Sequence, residues 1–440
     1  MTILLTNAWV LTLDDAMTEH ERGWVHVEGD TIVAIGSGEA PALAHAEYVD
    51  CGGDIVMPGM VNTHCHMAMS VFRGLGEDVD DRLYRYILPL ERKFVSPGMV
   101  RAGSAFAALE LIQSGVTSVA DMYYFETEVG DVCAEAGLRA IVGQTLADFD
   151  PPDHRSFDEG FARVEELVDR FGGHPLVTPS IAPHAPYSTG LAVMERIADW
   201  SAAHPEVPVQ MHLAESSLEV AWAQENHGKS TVAVTDDAGL LKPGLICAHC
   251  LQLDEADIAL MAERQVCVAT NPRSNGKAGR GIAPVEKLRA AGMPVGIGSD
   301  GAMSGNTLDL FSQMAPVGMF AKLLAGSRKP LPAVDVVRMS TIEGARALGL
   351  ARRTGSLEAG KQADLIRISL AAPRLHPIYD PYSALVFAAM PSDVLDTMVA
   401  GRWLMRDRKV LTLDTDKVMA DAMQVAAGFR DEMRRIDARS

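Results

Sequence analysis

The run Ile55-Val56-Met57-Pro58-Gly59-Met60-Val61-Asn62-Thr63-His64-Cys65-His66 decides how this chain is read. An apolar segment, 55–61, reads as a strand broken by Pro58-Gly59, and just beyond it stand two histidines two positions apart. Side chains alternate along an extended strand, so His64 and His66 point the same way. Two imidazoles on one side of one strand end make half of a metal site. Later apolar runs end on candidates for the other half: His212 in Met211-His212-Leu213-Ala214-Glu215, His249 in Ala248-His249-Cys250, and Asp300 in Ile297-Gly298-Ser299-Asp300-Gly301.

Working outward, apolar strand-like runs alternate with amphipathic helical stretches from about 57 to 350. The strand candidates are 55–61, 118–122, 140–144, 176–181, 209–213, 245–248, 267–270 and 295–299. Eight such runs with helices between them predict an α/β fold, a (β/α)₈ TIM barrel, whose active site lies at the C-terminal strand ends. His66, Asp121, Gln144, His184, His212, His249, Asn271 and Asp300 all fall at or just past those ends. Residues 1–56 read instead as short strands with turns, with Glu28-Gly29-Asp30 as a hairpin turn. Strand character returns after 351, at 355–366 and 396–403. Residues 1–56 and 351–440 are therefore expected to build one β-sandwich domain from both termini, flanking a barrel domain at 57–350. A helical stripe over 416–437 (Val418, Ala422, Val425, Phe429, Met433, Ile436) reads as packing.

The chain's 440 residues suit one large barrel plus a smaller domain. Hydrophobic residues at 48% and charged residues at 22% are ordinary for a soluble globular enzyme. A formal net charge of -19 opposes binding to a phosphate backbone, so a small-molecule substrate is expected and a nucleic-acid polymer is not. Six scattered cysteines in apolar surroundings read as reduced, cytoplasmic thiols. Cys247 and Cys250 have CxxC spacing without a second pair, and read as buried small hydrophobes. No basic leader and no uncharged bilayer-length run is seen, so neither a signal peptide nor a membrane span is expected.

Neutral imidazole and carboxylate are good Zn²⁺ ligands, and a catalytic site keeps a position open for water. The expected ligands are His64, His66, His212 and Asp300. Fe²⁺ suits imidazole as well. No lysine lies between Lys93 and Lys229, so no lysine is available on the fourth strand to bridge two metals, and one metal per chain is expected. Glu215, three residues beyond His212, can take a water proton and return it to substrate. His249 can hold the nucleophilic water or stabilise developing charge, and Asp300 can both bind metal and accept a proton. His20, His26, His45, His154, His174, His204, His227 and His376 read as ordinary core or surface residues.

These residues resemble the amidohydrolase superfamily, in its cytosine/guanine/adenosine-type deaminase and chlorohydrolase branch. The resemblance is carried by 57–66, Pro183-His184-Ala185-Pro186-Tyr187, His212-Leu213-Ala214-Glu215, Ala248-His249-Cys250, Asn271-Pro272-Arg273-Ser274-Asn275 and Gly298-Ser299-Asp300-Gly301-Ala302. Residues 360–365 and Val399-Ala400-Gly401 look like the family's sandwich segments. Within that branch the chain looks most similar to 5-methylthioadenosine/S-adenosylhomocysteine deaminases, through Arg73-Gly74, Leu88-Pro89-Leu90-Glu91 and Asp121-Met122-Tyr123-Tyr124-Phe125.

The resemblance implies a zinc-dependent aminohydrolase that removes ammonia from an amino-substituted N-heterocycle, an adenosine-type nucleoside. It implies that Glu91 binds ribose hydroxyls, His184 contacts substrate and Ser304 lies near the base, and that the protein is a homo-oligomer. Two positions depart from the pattern. Arg82 stands near the place of a tryptophan, and Gln144 replaces an arginine; both positions help grip the nucleoside or its 5′ substituent. Arg155 reads as a solvated loop residue rather than a substitute. Hydrolysis of s-triazine, pterin or guanine-type rings is the alternative chemistry. A catalytically silent metabolite-binding protein is the alternative class, opposed by the complete ligand set with Glu215 and His249.

Overall fold

The computed structural model describes residues 1–79 and 81–438. Five strands open the chain: β1 (Thr2–Leu11), β2 (Glu19–Glu28), β3 (Thr31–Ser37), β4 (Glu47–Asp50) and β5 (Ile55–Pro58). Eight follow at the heart of the molecule: β6 (Met60–Cys65), β7 (Val116–Tyr123), β8 (Arg139–Leu146), β9 (Val177–Pro183), β10 (Gln210–Leu213), β11 (Ile246–His249), β12 (Cys267–Thr270) and β13 (Val295–Ile297). Four close it: β14 (Leu365–Ile368), β15 (Val394–Val399), β16 (Arg402–Arg406) and β17 (Lys409–Val410).

The apolar run 55–61 is therefore two strands, not one. Pro58 ends β5, which pairs with β1 and antiparallel to β14 in the terminal sheet, and Met60 begins β6 in the barrel. Alternation cannot see that break, because the residues on both sides of it are buried. A strand also reads through Ile3 to Leu11 without interruption. Asn7, at φ 51, lies within a stretch of shifted register between Leu5 and Ala8.

β6 to β9 form one parallel four-stranded sheet and β10 to β13 another. Two seams join them. At one, Ile181 bridges Val209 and the His212 N–H donates to the His184 carbonyl at 3.0 Å. At the other, the N–H groups of Ser299 and Asp300 donate to the His64 carbonyl at 3.1 and 3.0 Å. The result is a closed eight-stranded barrel. Helices follow the strands, and serine or aspartate caps start several of them: Ser156 before Phe157–Phe171, Ser216 before Ser217–His227, and Asp254 in a full capping box before Glu255–Glu263.

The remaining nine strands make one antiparallel-dominated sheet in the order β17-β16-β15-β14-β5-β1-β2-β3, with β4 beside β1. It folds over its own apolar core of Ile3, Leu5, Val10, Val25, Val27, Ile32 and Leu365. Its far edge returns to the segment before β14, where Ile32 N–H donates to Lys361 and Ala363 N–H to Asp30. Both termini thus build the sandwich domain. Its two hairpin turns meet: a Cβ on Gly401 (φ +71) would lie 1.9 Å from the Gly29 carbonyl oxygen, so only glycine fits there. The buried Arg139 guanidinium joins barrel to sheet by donating to Asp364 at 2.9 and 3.2 Å and to Gln362 at 2.7 Å. The C-terminal helix, Thr415–Asp437, packs through Phe429 on Phe72, ring centroids 4.5 Å apart. Among the described residues no helix is long and apolar enough to cross a membrane. All six cysteines are unpaired and buried.

Candidate metal centre

The end of β6 sets the geometry. Cys65 turns away from the barrel axis toward the Asp121 carboxylate, 3.3 Å distant, which leaves His64 and His66 on the same side with ring centroids 4.9 Å apart. His212 closes on both, at 5.0 and 5.5 Å. Ligand atoms of His64, His66 and His212 lie within 4.8 Å of one another, as do those of His64, His249 and Asp300. Asp300 Oδ1 stands 3.2 Å from His66 Nε2 and 3.8 Å from His64 Nε2. The strand after β13 can come this close because residue 298 is glycine: a Cβ there would sit 2.3 Å from Asn271 Oδ1.

Each of these side chains except His64 is fixed from behind. His66 Nδ1 faces the Met122 carbonyl at 2.6 Å, His212 Nδ1 the His184 carbonyl at 2.9 Å, and His249 Nδ1 the Asn275 Oδ1 at 2.9 Å. A ring nitrogen facing an acceptor carries the proton, so each Nε2 turns its lone pair toward the centre. Ser274 Oγ donates to Asp300 Oδ2 at 2.6 Å and Gly301 N–H to Oδ1 at 2.7 Å. Four non-glycine residues here hold left-handed backbone: Ala214 at φ 53, His249 at φ 75, Cys250 at φ 52 and Asp300 at φ 58. That strain is sustained only because the surrounding barrel fixes those residues.

The electrostatics suit a cation. Burial, aided by neighbouring histidines, holds His64 and His212 well below the ordinary imidazole range, and burial also lowers His249. Burial pulls His66 down as well, but the Asp300 carboxylate outweighs it and leaves His66 raised. Burial would raise Asp300; its hydrogen bond and charge contact with His66 prevail and hold it well below the carboxylate range. His64 Nε2 is buried without a hydrogen-bond partner. An orphaned nitrogen lone pair aimed at other imidazole and carboxylate donors is what a bound divalent metal satisfies. The nitrogen-rich donor set fits Zn²⁺ or Fe²⁺ and serves the oxygen-seeking Mg²⁺ or Ca²⁺ poorly.

Glu215 stands at the edge of this cluster, its Oε1 3.6 Å from His249 Nε2. The backbone that carries it is held by Glu219, whose two carboxylate oxygens accept the Ala214 and Glu215 N–H groups, each at 2.8 Å. The Arg280 guanidinium pairs with the Glu215 carboxylate from the solvent side. The His184 ring lies 4.8 Å from His212, burial pushing it down to about 3, with Nδ1 on Ser188 Oγ at 2.7 Å. Glu91 is buried on the helix Leu88–Phe94 and accepts the Tyr123 hydroxyl at 2.6 Å. Gln144 lies two residues before the end of β8, its amide donating to Asp153 at 2.9 Å. Ser304 is half-buried on the short helix Ala302–Gly305 just after Asp300, its backbone N–H on the Gly301 carbonyl.

Five of these groups had no role assigned from the sequence. Ser274 and Asn275 lie inside a quoted motif. Glu219 had a signal: Ser216 and Glu219 stand at capping-box spacing. Arg280 and Asp153 had none, because each lies in a loop with no motif of its own.

The sequence profile described as the Amidohydrolase family matches residues 55–404. The chain is 40% identical, over 96% of its own length and 97% of the relative's, to a 5-methylthioadenosine/S-adenosylhomocysteine deaminase of Syntrophobacter fumaroxidans. It is 35% identical, over 96% and 97%, to a 5′-deoxyadenosine deaminase of Methanosarcina mazei. A crystal structure of an adenosine deaminase from Xanthomonas campestris with bound zinc superposes with a TM-score of 0.93 at 35% identity, covering 98% of each chain. The zinc complex of an atrazine chlorohydrolase from Arthrobacter aurescens superposes at a TM-score of 0.89 with 20% identity, over 96% of this chain and 100% of that one, and shares the fold.

Proposed function

The chain belongs to the amidohydrolase family, and on that premise we propose a hydrolytic deaminase of adenosine-type nucleosides, working with one Zn²⁺ per chain on His64, His66, His212 and Asp300. The observation that carries the reading is Glu215 Oε1, 3.6 Å from His249 Nε2, at the rim of the converging donors. When bound there, zinc supplies a Lewis acid and a water acidified to a pKa of about 7.

The chain's own residues supply the rest. Glu215 takes a proton from water and passes it to the ring nitrogen beside the amino-bearing carbon. His249, with Nδ1 donating to Asn275, offers an Nε2 lone pair that orients the same water. Asp300, fully ionised, accepts the second proton. A C–O bond forms at the amino-bearing carbon, the second proton passes on to the amino group, the C–N bond breaks and ammonia leaves, while the ring nitrogen keeps the first proton in the product. His184 is placed to contact the base or sugar, Glu91 the ribose hydroxyls, and Ser304 the base from beyond Asp300. Gln144 lines the same face. Names of relatives that act on adenosine-type nucleosides support this substrate class.

The test is ammonia release by the zinc-loaded protein from adenosine, 5′-deoxyadenosine and 5′-methylthioadenosine, beside guanine, a pterin and an s-triazine. Turnover of the nucleosides is expected. Turnover confined to triazine, pterin or guanine would replace the substrate class. No turnover and no metal would leave a metabolite-binding protein. We also read the protein as cytoplasmic, on its six buried unpaired cysteines, and as a homo-oligomer, which the native mass in solution checks.

A further inference from the structure

The N-terminal end of the barrel, opposite the metal centre, carries a cavity of about 720 Å³. Strand beginnings make its inner wall: Ile141 near the start of β8, Thr178 on β9, Val209 just before β10, Ile246 on β11 and Cys267 on β12. Leu348 and Leu350, which follow the helix Ile342–Ala347, join Ile141 and Ile246 in one apolar cluster and form the floor. Small-molecule sites commonly enclose roughly 300–1,000 Å³ over such a floor. No residue that serves the metal centre lines this cavity.

Its rim is cationic. Lys242 in the loop before β11, Arg346 in the last turn of that helix, and Arg352 and Arg353 just beyond it all line the cavity, against one carboxylate, Glu206. The chain holds 58 Asp and Glu for 39 Lys and Arg, so carboxylates are in excess. Arg346 takes one, Asp15, at 2.6 Å. Among the described residues none pairs with Lys242, Arg352 or Arg353. Glu206 faces His204 at 3.7 Å, with 67% of its side chain exposed.

Lys242 is the most telling of the three. It is half-buried, and its ammonium donates to the buried Ser201 hydroxyl at 2.6 Å, a neutral acceptor. Burial lowers the ammonium's pKa, and no neighbouring charge offsets the effect. A cation that sheds water without gaining a counterion costs free energy, and an anion from solution removes that cost. Arg352 and Arg353 are exposed and free to turn to the same anion. Guanidinium forks and an ammonium together match the three oxygens of a phosphate better than the two of a carboxylate. The net charge of -19 disfavours polyanions and acidic surfaces, whose charge extends beyond one cavity; a small dianion meets the local cations instead.

We propose that this cavity is a second ligand site, independent of the metal centre, for a small phosphomonoester: its apolar or aromatic body lies on the Leu348–Leu350 floor, and its phosphate draws on Lys242, Arg352 and Arg353.

Calorimetric titration of the zinc-loaded protein with 1-naphthyl phosphate tests this, beside 1-naphthol, 1-naphthoate and inorganic phosphate. The phosphomonoester is expected to bind once per chain with a Kd below about 1 mM. It exceeds each of the other three in affinity by at least about tenfold, because each lacks the phosphate or the ring. Arg352→Ala combined with Arg353→Ala weakens it by at least about tenfold, while zinc content and the unfolding midpoint of the unliganded protein stay at wild-type values. Lys242→Met weakens it as well. No binding at about 5 mM overturns the proposal, and this measurement needs no variant to fold. So does binding that survives both sets of substitutions, or binding that chelation of the zinc abolishes, which would put the probe at the metal centre. Equally tight 1-naphthoate overturns the choice of phosphate, and equally tight inorganic phosphate overturns the role of the floor. A drop in native mass in the double variant, with no phosphomonoester bound by the wild type, would make the cavity an interface between copies of this chain and overturns the ligand site.

Discussion

The two flanks of the barrel mouth are built differently. On the metal flank, His66, His212, His249 and Asp300 sit on or directly after strand ends, and each is steadied by a bond to a strand end or to the helix Pro272–Lys277. On the flank of β7 to β9, one loop carboxylate, Asp153, holds three segments at once: Phe125 after β7, Gln144 on β8 and its own neighbour His154. Strands place atoms to within the tolerance that metal chemistry demands; a loop can be rebuilt without disturbing them. The metal flank is therefore the constrained side of the mouth, and the flank of β7 to β9 is the side free to vary.

The largest effect belongs to the proton carrier. Glu215→Gln is expected to lower kcat by about 10²–10⁴-fold, the usual contribution of a general acid–base group. Metal content, measured on the purified variant, stays at the wild-type level, because Glu215 stands beside the donors rather than among them. Loss of metal along with activity would make Glu215 part of the metal scaffold. Next come the residues behind the ligands. Ser274→Ala removes the hydroxyl from Asp300 Oδ2, and Asn275→Ala frees His249 Nδ1. Each is expected to weaken metal binding or activity by about 10–100-fold. Chelator competition reads the first effect, and the two differ in kind: Ser274 shifts metal affinity, Asn275 shifts kcat.

The same division governs what was legible in the sequence. His64, Cys65 and His66 announce themselves because strand alternation needs no partner to be read, and the eight barrel strands carry buried apolar runs that stand out between helices. The terminal sheet was legible as strands but not in detail. β4 and β17 are short, with four and two residues, and the β5–β6 break lies inside one buried run. Long-range contacts at the mouth were least legible: Tyr123 on β7 meets Glu91 on the helix Leu88–Phe94 across 32 residues, Arg280 meets Glu215 across 65, and no local pattern encodes either. Glu219 lies between the two cases: its capping-box spacing was visible, but its service to the backbone of Ala214 and Glu215 was not.

Glu219 also gives the metal flank a pH signature. Burial pushes its carboxyl up to about 7 from 4.5, against the lowering effect of the Ala214 N–H. A group raised on folding binds its proton more tightly in the folded state. Its contribution is complete below about 4.5 and is lost as pH rises through about 7. Denaturant unfolding of the metal-loaded protein at pH 5 and pH 8.5 should show a decline on the order of 1–3 kcal/mol from this residue. Glu219→Gln, which does not titrate, flattens that part of the slope. An unchanged slope would mean the two backbone N–H groups hold Glu219 ionised throughout, and the Glu215 support would then be a fixed anion.

The smallest effect lies on the flank of β7 to β9. Arg92 and Asp150 form an ion pair at 3.5 Å across the outside of the loop, with side chains 55% and 76% exposed. Water and salt screen such a pair, and ordering two long side chains offsets what attraction remains. Asp150→Asn is therefore expected to change unfolding stability by less than about 0.5 kcal/mol. The loop's placement rests instead on Asp153, which is buried and fully bonded. Asp153→Asn keeps one carbonyl acceptor but sets an NH₂ group against the donors on the other side, a loss of about 1–3 kcal/mol per buried group left unsatisfied. Measured side by side, Asp153→Asn should exceed Asp150→Asn severalfold. Equal effects would mean that the surface pair shares the load, and the flank would then be held from outside as well as from within.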